Sequence, residues 1–139
     1  MIYVSISTIP QRLKNISTTI ESLLTQTQKP DKIFINIPFK YQRFSETVKD
    51  SQIPQFDNNT VEVTRCEDFG PGTKLLGSLD KLEKNSLIIL ADDDHIYKNY
   101  MIEKFKYFYS KAPDNANMSL IHKSQPTTPE RMGVGRWRG

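Results

Sequence analysis

The chain has 139 residues, of which 37% are hydrophobic and 25% charged, and this composition is typical of one soluble globular domain. No apolar run approaches the ~18 residues that cross a bilayer. The start of the chain lacks the basic and apolar stretches of a signal peptide, and the single cysteine, Cys66, fits a reducing compartment, so we expect a cytoplasmic protein. The net charge of +3 is carried by the segment from Lys123 onward, which argues against a nucleic-acid-binding face.

The first half of the chain predicts a strand, a helix and a second strand. Residues 2–6 are β-rich and predict the first strand. Pro10 fits the first turn of the following helix, with Thr8 as its cap. The helix itself is predicted from apolar residues at three- and four-residue steps: Leu13, Ile16, Ile20, Leu23 and Leu24. Residues 32–37 predict the second strand, and residues 39–60 predict a loop or a short helix.

The second half repeats this alternation. Residues 61–65 alternate in polarity and predict a third strand. Residues 73–83 predict a helix with Leu75, Leu76, Leu79 and Leu82 on one face. Residues 86–91 form the most apolar run and predict a strand that is covered on both faces, as in a parallel sheet. Residues 99–111 predict an aromatic-rich helix.

The alternation of strands and helices predicts an α/β fold with a mostly parallel sheet. We assign residues 1–122 to this domain, with one more strand expected at 118–122. Residues 123–139 contain scattered proline, glycine and arginine without a recognisable element, and we expect a tail or a loop that is cut short. In open α/β sheets ligands bind at the carboxyl ends of the strands, and three candidate segments fall at such ends.

The first candidate segment is the acidic triplet Asp92-Asp93-Asp94, directly after the apolar strand. Adjacent carboxylates repel each other, and a hard cation such as Mg²⁺ or Mn²⁺ relieves that repulsion. Such a cation usually takes one or two protein carboxylates and draws further ligands from a substrate diphosphate. The alternative is a solvated acidic turn. His95, beside the triplet, is either a further ligand or a surface histidine.

The other two segments suit an anion. In the stretch from Asp68 to Lys74, glycines allow a ligand to approach the backbone, and Lys74 supplies a point charge suited to phosphate. Its alternative is a turn that caps a helix. The stretch from Ser7 to Arg12 follows the first strand, and Arg12 is suited to a phosphate contact.

Together these segments resemble GT-A glycosyltransferases. The stretch from Val4 to Arg12 and the helix that ends before Pro30 are similar to the start of that family. The triplet resembles its Asp-x-Asp motif. The stretch from Asp68 to Leu76 resembles a segment of small family-2-like members from bacteria and large DNA viruses, and the short glycosyltransferase domains of algal viruses look most similar. The resemblance covers residues 1 to about 122.

The resemblance implies a GT-A, Rossmann-like nucleotide-diphospho-sugar transferase fold. It implies transfer of a sugar from a nucleoside diphosphate to an acceptor hydroxyl on a glycan or glycoprotein, with Mn²⁺ or Mg²⁺ as Lewis acid.

The resemblance also implies roles for single residues. Those implied to bind the nucleotide are Thr8, Pro10, Arg12, Ile37, Asp68, Lys74, Asp92 and Asp93. Within this set Asp68 would bond the base, which is expected to be uracil, and Lys74 would face the diphosphate. Asp94 would bind the metal directly, and Asp92 would contact the ribose, a metal-bound water or the metal.

Two departures from the family pattern stand out. Many members carry an acidic residue after the second strand, where this chain has Asn36-Ile37-Pro38. Base recognition is then left to Ile37, packing on the ring, and to Asp68, bonding to its edge. Family domains also usually continue further and build an acceptor side there. A nucleotide-sugar-binding module without transfer activity is therefore the alternative function. An aspartate-based phosphotransferase ranks lower, because such enzymes place an aspartate after the first strand, where Ser7-Thr8 stands here.

Overall fold

The computed structural model describes residues 1–111 and the backbone of residues 133–137. These residues form five strands and three α-helices, joined by loops that contain short 3₁₀ turns. In chain order the elements are β1 (Ile2–Ser7), α1 (Ile16–Leu24), β2 (Lys32–Pro38), β3 (Val61–Cys66), α2 (Thr73–Leu76), β4 (Ser86–Ala91), α3 (Met101–Lys111) and β5 (Gly133–Trp137).

The five strands form one sheet in the order β3-β2-β1-β4-β5. The first four run parallel, and β5 pairs antiparallel with β4. The predicted α/β fold with a mostly parallel sheet is therefore confirmed. Because β1, β2, β3 and β4 are parallel, their carboxyl ends meet at one edge of the sheet, where ligands bind in folds of this kind.

A hydrophobic layer covers each face of the sheet. The larger layer joins alternate residues of β1, β2 and β4, including Val4, Ile35 and Ile89, to α1 and α3. The smaller layer joins Tyr3 and Phe34 with Leu75, Leu82 and two residues of β4. All six residues of β4 are buried, as expected for a strand covered on both faces.

The helix predicted over residues 73–83 is wrong beyond its first turn. The structure has α2 over Thr73–Leu76, followed by a separate 3₁₀ turn over Leu79–Lys81. The chain leaves the helix at Gly77, which lies against the side chain of Asn36. Ser78 then turns toward the sheet, where its hydroxyl lies 2.9 Å from that of Ser5. Leucine spacing alone does not reveal this break.

The start of the first helix also differs from the prediction. Pro10 begins a 3₁₀ turn, Pro10–Asn15, that leads into α1, and the cap position is Ile9 without a side-chain hydrogen bond. Thr8 therefore does not cap the helix. Its hydroxyl instead donates to Asp93 across the sheet edge, at 2.7 Å.

Most of the remaining predictions fall on residues that the structure describes, and one does not. Residues 39–60 form a loop with one 3₁₀ turn at Asp50–Gln52, as expected. The aromatic-rich helix begins at Met101 rather than at residue 99. The strand expected at 118–122 lies outside the described residues. The expectation that the segment after residue 123 lacks a recognisable element is wrong for Gly133–Trp137, which extends the sheet beside β4.

Candidate functional site

A cavity of about 510 Å³ opens at the carboxyl edge of the parallel strands. Its walls come from four segments, each of which follows or ends one of the strands β1 to β4. The lining residues are Ser7, Thr8, Ile9, Arg12, Pro38, Tyr41, Gln42, Arg43, Asp68, Gly70, Pro71, Thr73, Lys74, Asp92 and Asp93. The three segments that the sequence singled out thus meet in one cavity.

The wall after β1 is joined to the wall after β4 through Asp93. Register places these groups together: Ile6 pairs with Ala91, so Thr8 and Asp93 each follow two residues later on neighbouring parallel strands. The Thr8 hydroxyl donates to Asp93 Oδ2 at 2.7 Å, and Arg12 Nη1 lies 3.2 Å from Asp93 Oδ1. Only 4% of Asp93 is exposed. A buried carboxylate needs such partners, because loss of hydration is costly.

The wall after β3 is joined to the wall after β4 through Lys74 and Asp92. Lys74 Nζ lies 2.9 Å from Asp92 Oδ1, and both side chains are largely buried. The backbone of α2 is fixed from below, since Asn36 Nδ2 donates to the carbonyl of Thr73 at 2.9 Å and the Ser5 hydroxyl donates to the carbonyl of Lys74. These two polar residues in the smaller layer hold the lysine at the cavity.

Asp68 connects the loop after β2 to the turn before α2. Its Oδ2 accepts the backbone N–H of Gln42 at 2.8 Å, and its Oδ1 accepts that of Gly70 at 2.8 Å. The hydrogen bond from Gln42 is the main reason that the pKa of the Asp68 carboxyl lies below its usual value. Gly70 has a φ of 63°, a left-handed conformation that glycine adopts without strain. Asp68 therefore shapes the wall as well as lining it.

Two buried side chains hold the backbone of the acidic triplet through hydrogen bonds. The backbone N–H of Asp92 donates to the hydroxyl of Tyr97 at 2.7 Å, and the Thr19 hydroxyl donates to the carbonyl of Asp93 at 3.0 Å. Burial raises the pKa of Tyr97, so its hydroxyl stays protonated and neutral. Asp94 is exposed and is not part of the cavity lining.

The cavity contains most, but not all, of the residues predicted to bind a ligand. Those that line it are Thr8, Arg12, Asp68, Lys74, Asp92 and Asp93. Pro10 begins the 3₁₀ turn after β1 and does not line the cavity. Ile37 is fully buried in the larger layer, so its side chain does not face the cavity and the predicted packing on a base is not available in this structure. The next residue, Pro38, lines the cavity instead.

Sequence reasoning missed the contribution of the loop after β2. Tyr41, Gln42 and Arg43 form one wall of the cavity. The Tyr41 hydroxyl donates to the carbonyl of Thr8 at 2.9 Å, and burial raises the pKa of Tyr41 to about 12. The signal was present, since this polar and aromatic run follows a parallel strand directly, but its weak periodicity gave no reason to single out particular residues.

The charges of the lining balance. Arg12, Arg43 and Lys74 supply three positive charges, and Asp68, Asp92 and Asp93 supply three negative ones. A polyphosphate placed in this cavity would bring negative charge with no surplus of cationic side chains to offset it. An accompanying metal cation would supply the missing charge.

The carboxylates fit a metal only together with a ligand. Within residues 1–111, no three histidine, cysteine, aspartate or glutamate side chains are grouped closely enough to hold a metal ion. A cation that takes one or two carboxylates and completes its shell from a diphosphate does not need such a group. The Lys74 ammonium, 2.9 Å from Asp92, shows that a positive charge is accommodated against that carboxylate.

Comparison of the chain with protein-family models and with curated proteins found no match. In the described part of the chain, no helix is long and apolar enough to cross a membrane.

Proposed function

We propose that this chain binds a nucleoside-diphosphate sugar, most simply a UDP-sugar, and transfers the sugar to an acceptor hydroxyl as a GT-A glycosyltransferase. The observation that carries the proposal is the convergence of the segments after β1, β3 and β4 in one cavity at the carboxyl edge of the sheet. These are the segments that resemble the family.

The cavity offers suitable groups for each part of a nucleotide diphosphate. Arg12 and Lys74 supply cations from opposite walls for the phosphate oxygens. Tyr41 provides an aromatic surface, and Asp68 provides acceptor oxygens for the edge of a base. A volume of about 510 Å³ falls in the usual range of small-molecule sites.

Asp92 and Asp94 are the groups proposed to hold Mn²⁺ or Mg²⁺. When bound, the metal would neutralise the charge that develops on the leaving diphosphate. The chain's own residues would bind and orient the donor: Arg12 and Lys74 at the phosphates, and the wall formed by Tyr41 and Asp68 at the nucleoside. The acceptor is proposed to be a glycan or glycoprotein hydroxyl.

The test is a calorimetric titration with UDP, with and without MnCl₂, on the parent chain and on Asp94→Ala. We expect Mn²⁺ to strengthen UDP binding to the parent at least tenfold, since an added ligand for the diphosphate contributes on the order of 1.4 kcal/mol or more. We expect Asp94→Ala to lose that enhancement while retaining the weak metal-independent binding. Asp80→Ala, which removes an exposed aspartate outside the cavity lining, is the matched control.

Two results would count against the proposal. Equal enhancement by Mn²⁺ in the parent and in Asp94→Ala would remove the metal assignment, and the absence of UDP binding to the parent would remove the donor site. Release of UDP from a UDP-sugar by the same samples, with water as the acceptor of the sugar, separates group transfer from binding alone. Tight metal-dependent binding without any release would favour the alternative of a nucleotide-sugar-binding module.

A further inference from the structure

The middle aspartate of the acidic triplet differs from its neighbours in burial and in partners. Asp94 is exposed and the side chain of Asp92 is 14% exposed, whereas Asp93 is 4% exposed. Both oxygens of the Asp93 carboxylate are engaged by the segment after β1, one by the Thr8 hydroxyl at 2.7 Å and one by Arg12 at 3.2 Å. Its carbonyl also accepts a hydrogen bond from Thr19 at 3.0 Å. A carboxylate held in this way has little freedom to turn toward a ligand.

Arg12, in contrast, remains open to the cavity. Its side chain is 52% exposed and lines the cavity wall, while one nitrogen of its guanidinium contacts Asp93. A guanidinium carries five N–H donors in a rigid plane. A contact through one nitrogen therefore orients the group and leaves other donors available for an anion. Holding a long side chain in place beforehand reduces the entropy that is lost on binding.

We infer that Asp93 is a positioning residue, which orients Arg12 toward the diphosphate and does not itself bind the ligand or the metal. This inference rests on the proposed donor site and assigns a separate role to each aspartate of the triplet. The segments after β1 and β4, which are neighbours in the sheet but distant in the chain, present a cation and a buried carboxylate to each other at Arg12 and Asp93.

The test is a double-mutant cycle in which binding of inorganic pyrophosphate and of UDP is measured, each with MnCl₂. The variants are Asp93→Asn, Arg12→Met and the double substitution. Asparagine keeps an oxygen that accepts the Thr8 hydroxyl but removes the charge that holds the guanidinium. Matched controls are Asp80→Asn and Lys14→Met, which neutralise exposed residues outside the cavity lining, the latter in the same 3₁₀ turn as Arg12.

We expect each single substitution to weaken pyrophosphate binding about tenfold, the usual effect of losing a charged hydrogen bond, and the controls to bind like the parent. The double variant should bind no more weakly than Arg12→Met alone, because both substitutions remove the same interaction. A purely structural role would instead give additive losses. Additivity, or parent-like binding by Asp93→Asn, would overturn the inference.

A second measurement decides the question if Asp93→Asn does not fold. Side-chain ¹⁵N relaxation of Arg12 Nε in the parent chain without ligand should report an ordered guanidinium, and a mobile one would overturn the inference. The two probes separate this inference from the proposed function. If the effects of Asp93→Asn and Arg12→Met on pyrophosphate binding are coupled but UDP binds no more tightly than pyrophosphate, the positioning role is supported and the donor site is contradicted. UDP binding without coupling between Asp93 and Arg12 would support the donor site and contradict the positioning role. If neither pyrophosphate nor UDP binds, both proposals are contradicted.

Discussion

Each cation on the walls after β1 and β3 lies beside its own aspartate from the triplet, Arg12 at Asp93 and Lys74 at Asp92. The pairs lie close together, yet they differ in exposure. The Arg12 side chain is 52% exposed, whereas that of Lys74 is 17% exposed and the side chain of its partner is 14% exposed. Arg12 can therefore contact an anion while keeping its aspartate, whereas Lys74 would compete with a metal cation for the carboxylate of Asp92.

This competition predicts the effect of Lys74→Met. Removing the ammonium should strengthen Mn²⁺ binding to the nucleotide-free chain roughly fivefold, because a partly exposed ion pair contributes on the order of 1 kcal/mol. The same substitution should weaken UDP binding, since it removes the proposed contact between Lys74 and the diphosphate. Titration of Mn²⁺, followed by the electron paramagnetic resonance of the free ion, measures the first effect. Lys81→Met, which breaks an exposed pair with Glu62, is the control, and unchanged Mn²⁺ affinity in Lys74→Met would contradict the competition.

The residue types at the site were foreseeable, but their pairing was not. Carboxylates after an apolar strand and cations near glycine or proline are visible in the sequence. The contacts of Asp93 with Thr8 and Arg12 depend on β1 lying next to β4, a neighbour relation between strands about eighty residues apart in the chain. The burial of Ile37 depends on which face of β2 carries the larger layer. The alternation of side chains along β2 does not by itself show which face of the strand packs against the larger layer.

At the scale of elements, α2 shows how a short helix is placed with precision. It has four residues, too few to be stable alone, and is held through hydrogen bonds from Asn36 and Ser5 to its backbone carbonyls. Asn36 is fully buried and serves as this anchor, which accounts for a polar side chain within β2. Leu75 and Leu82 reach the smaller layer, which is why their spacing predicted a longer helix.

The anchor predicts that Gly77→Ala is destabilising. A Cβ at Gly77 would lie 2.7 Å from Asn36 Cβ and 2.8 Å from its Cγ, so one of the two residues has to move. Moving Asn36 breaks its bond to Thr73. We expect a loss of about 1–3 kcal/mol in the free energy of unfolding, as for other overpacked sites, and weaker UDP binding because Lys74 shifts with the helix.

Urea denaturation measures the loss in Gly77→Ala, and Gly72→Ala provides the comparison. A Cβ at Gly72 meets the flexible end of Leu76 at 3.2 Å, and Gly72 has an ordinary φ of −77°. That substitution should change the free energy of unfolding far less. Equal stabilities of the two variants would show that the contact with Asn36 does not limit the packing of α2.

At the scale of the whole molecule, the sequence predicts the four parallel strands β1 to β4 correctly. It does not predict the antiparallel strand at the edge of the sheet. Strand bounds for β4 agree with the apolar run at residues 86–91, because a strand buried on both faces has a continuous signal. β5 was not predicted. Its sequence, Gly133–Trp137, has two glycines and an arginine, and it pairs through its backbone with β4.

The pairing of β5 makes it a determinant of the stability of the whole sheet. Without it, the backbone groups of β4 on that side would lose their partners, and a fully buried apolar strand would become an exposed edge. We expect a chain of residues 1–132 to lose roughly 2 kcal/mol or more in its free energy of unfolding, from several backbone hydrogen bonds at ~1 kcal/mol each, and to self-associate. A chain of residues 1–137 keeps β5 and is the control. Urea denaturation and light scattering after size exclusion measure both effects, and a 1–132 chain that is monomeric and as stable as the control would mean that β4 does not depend on this partner.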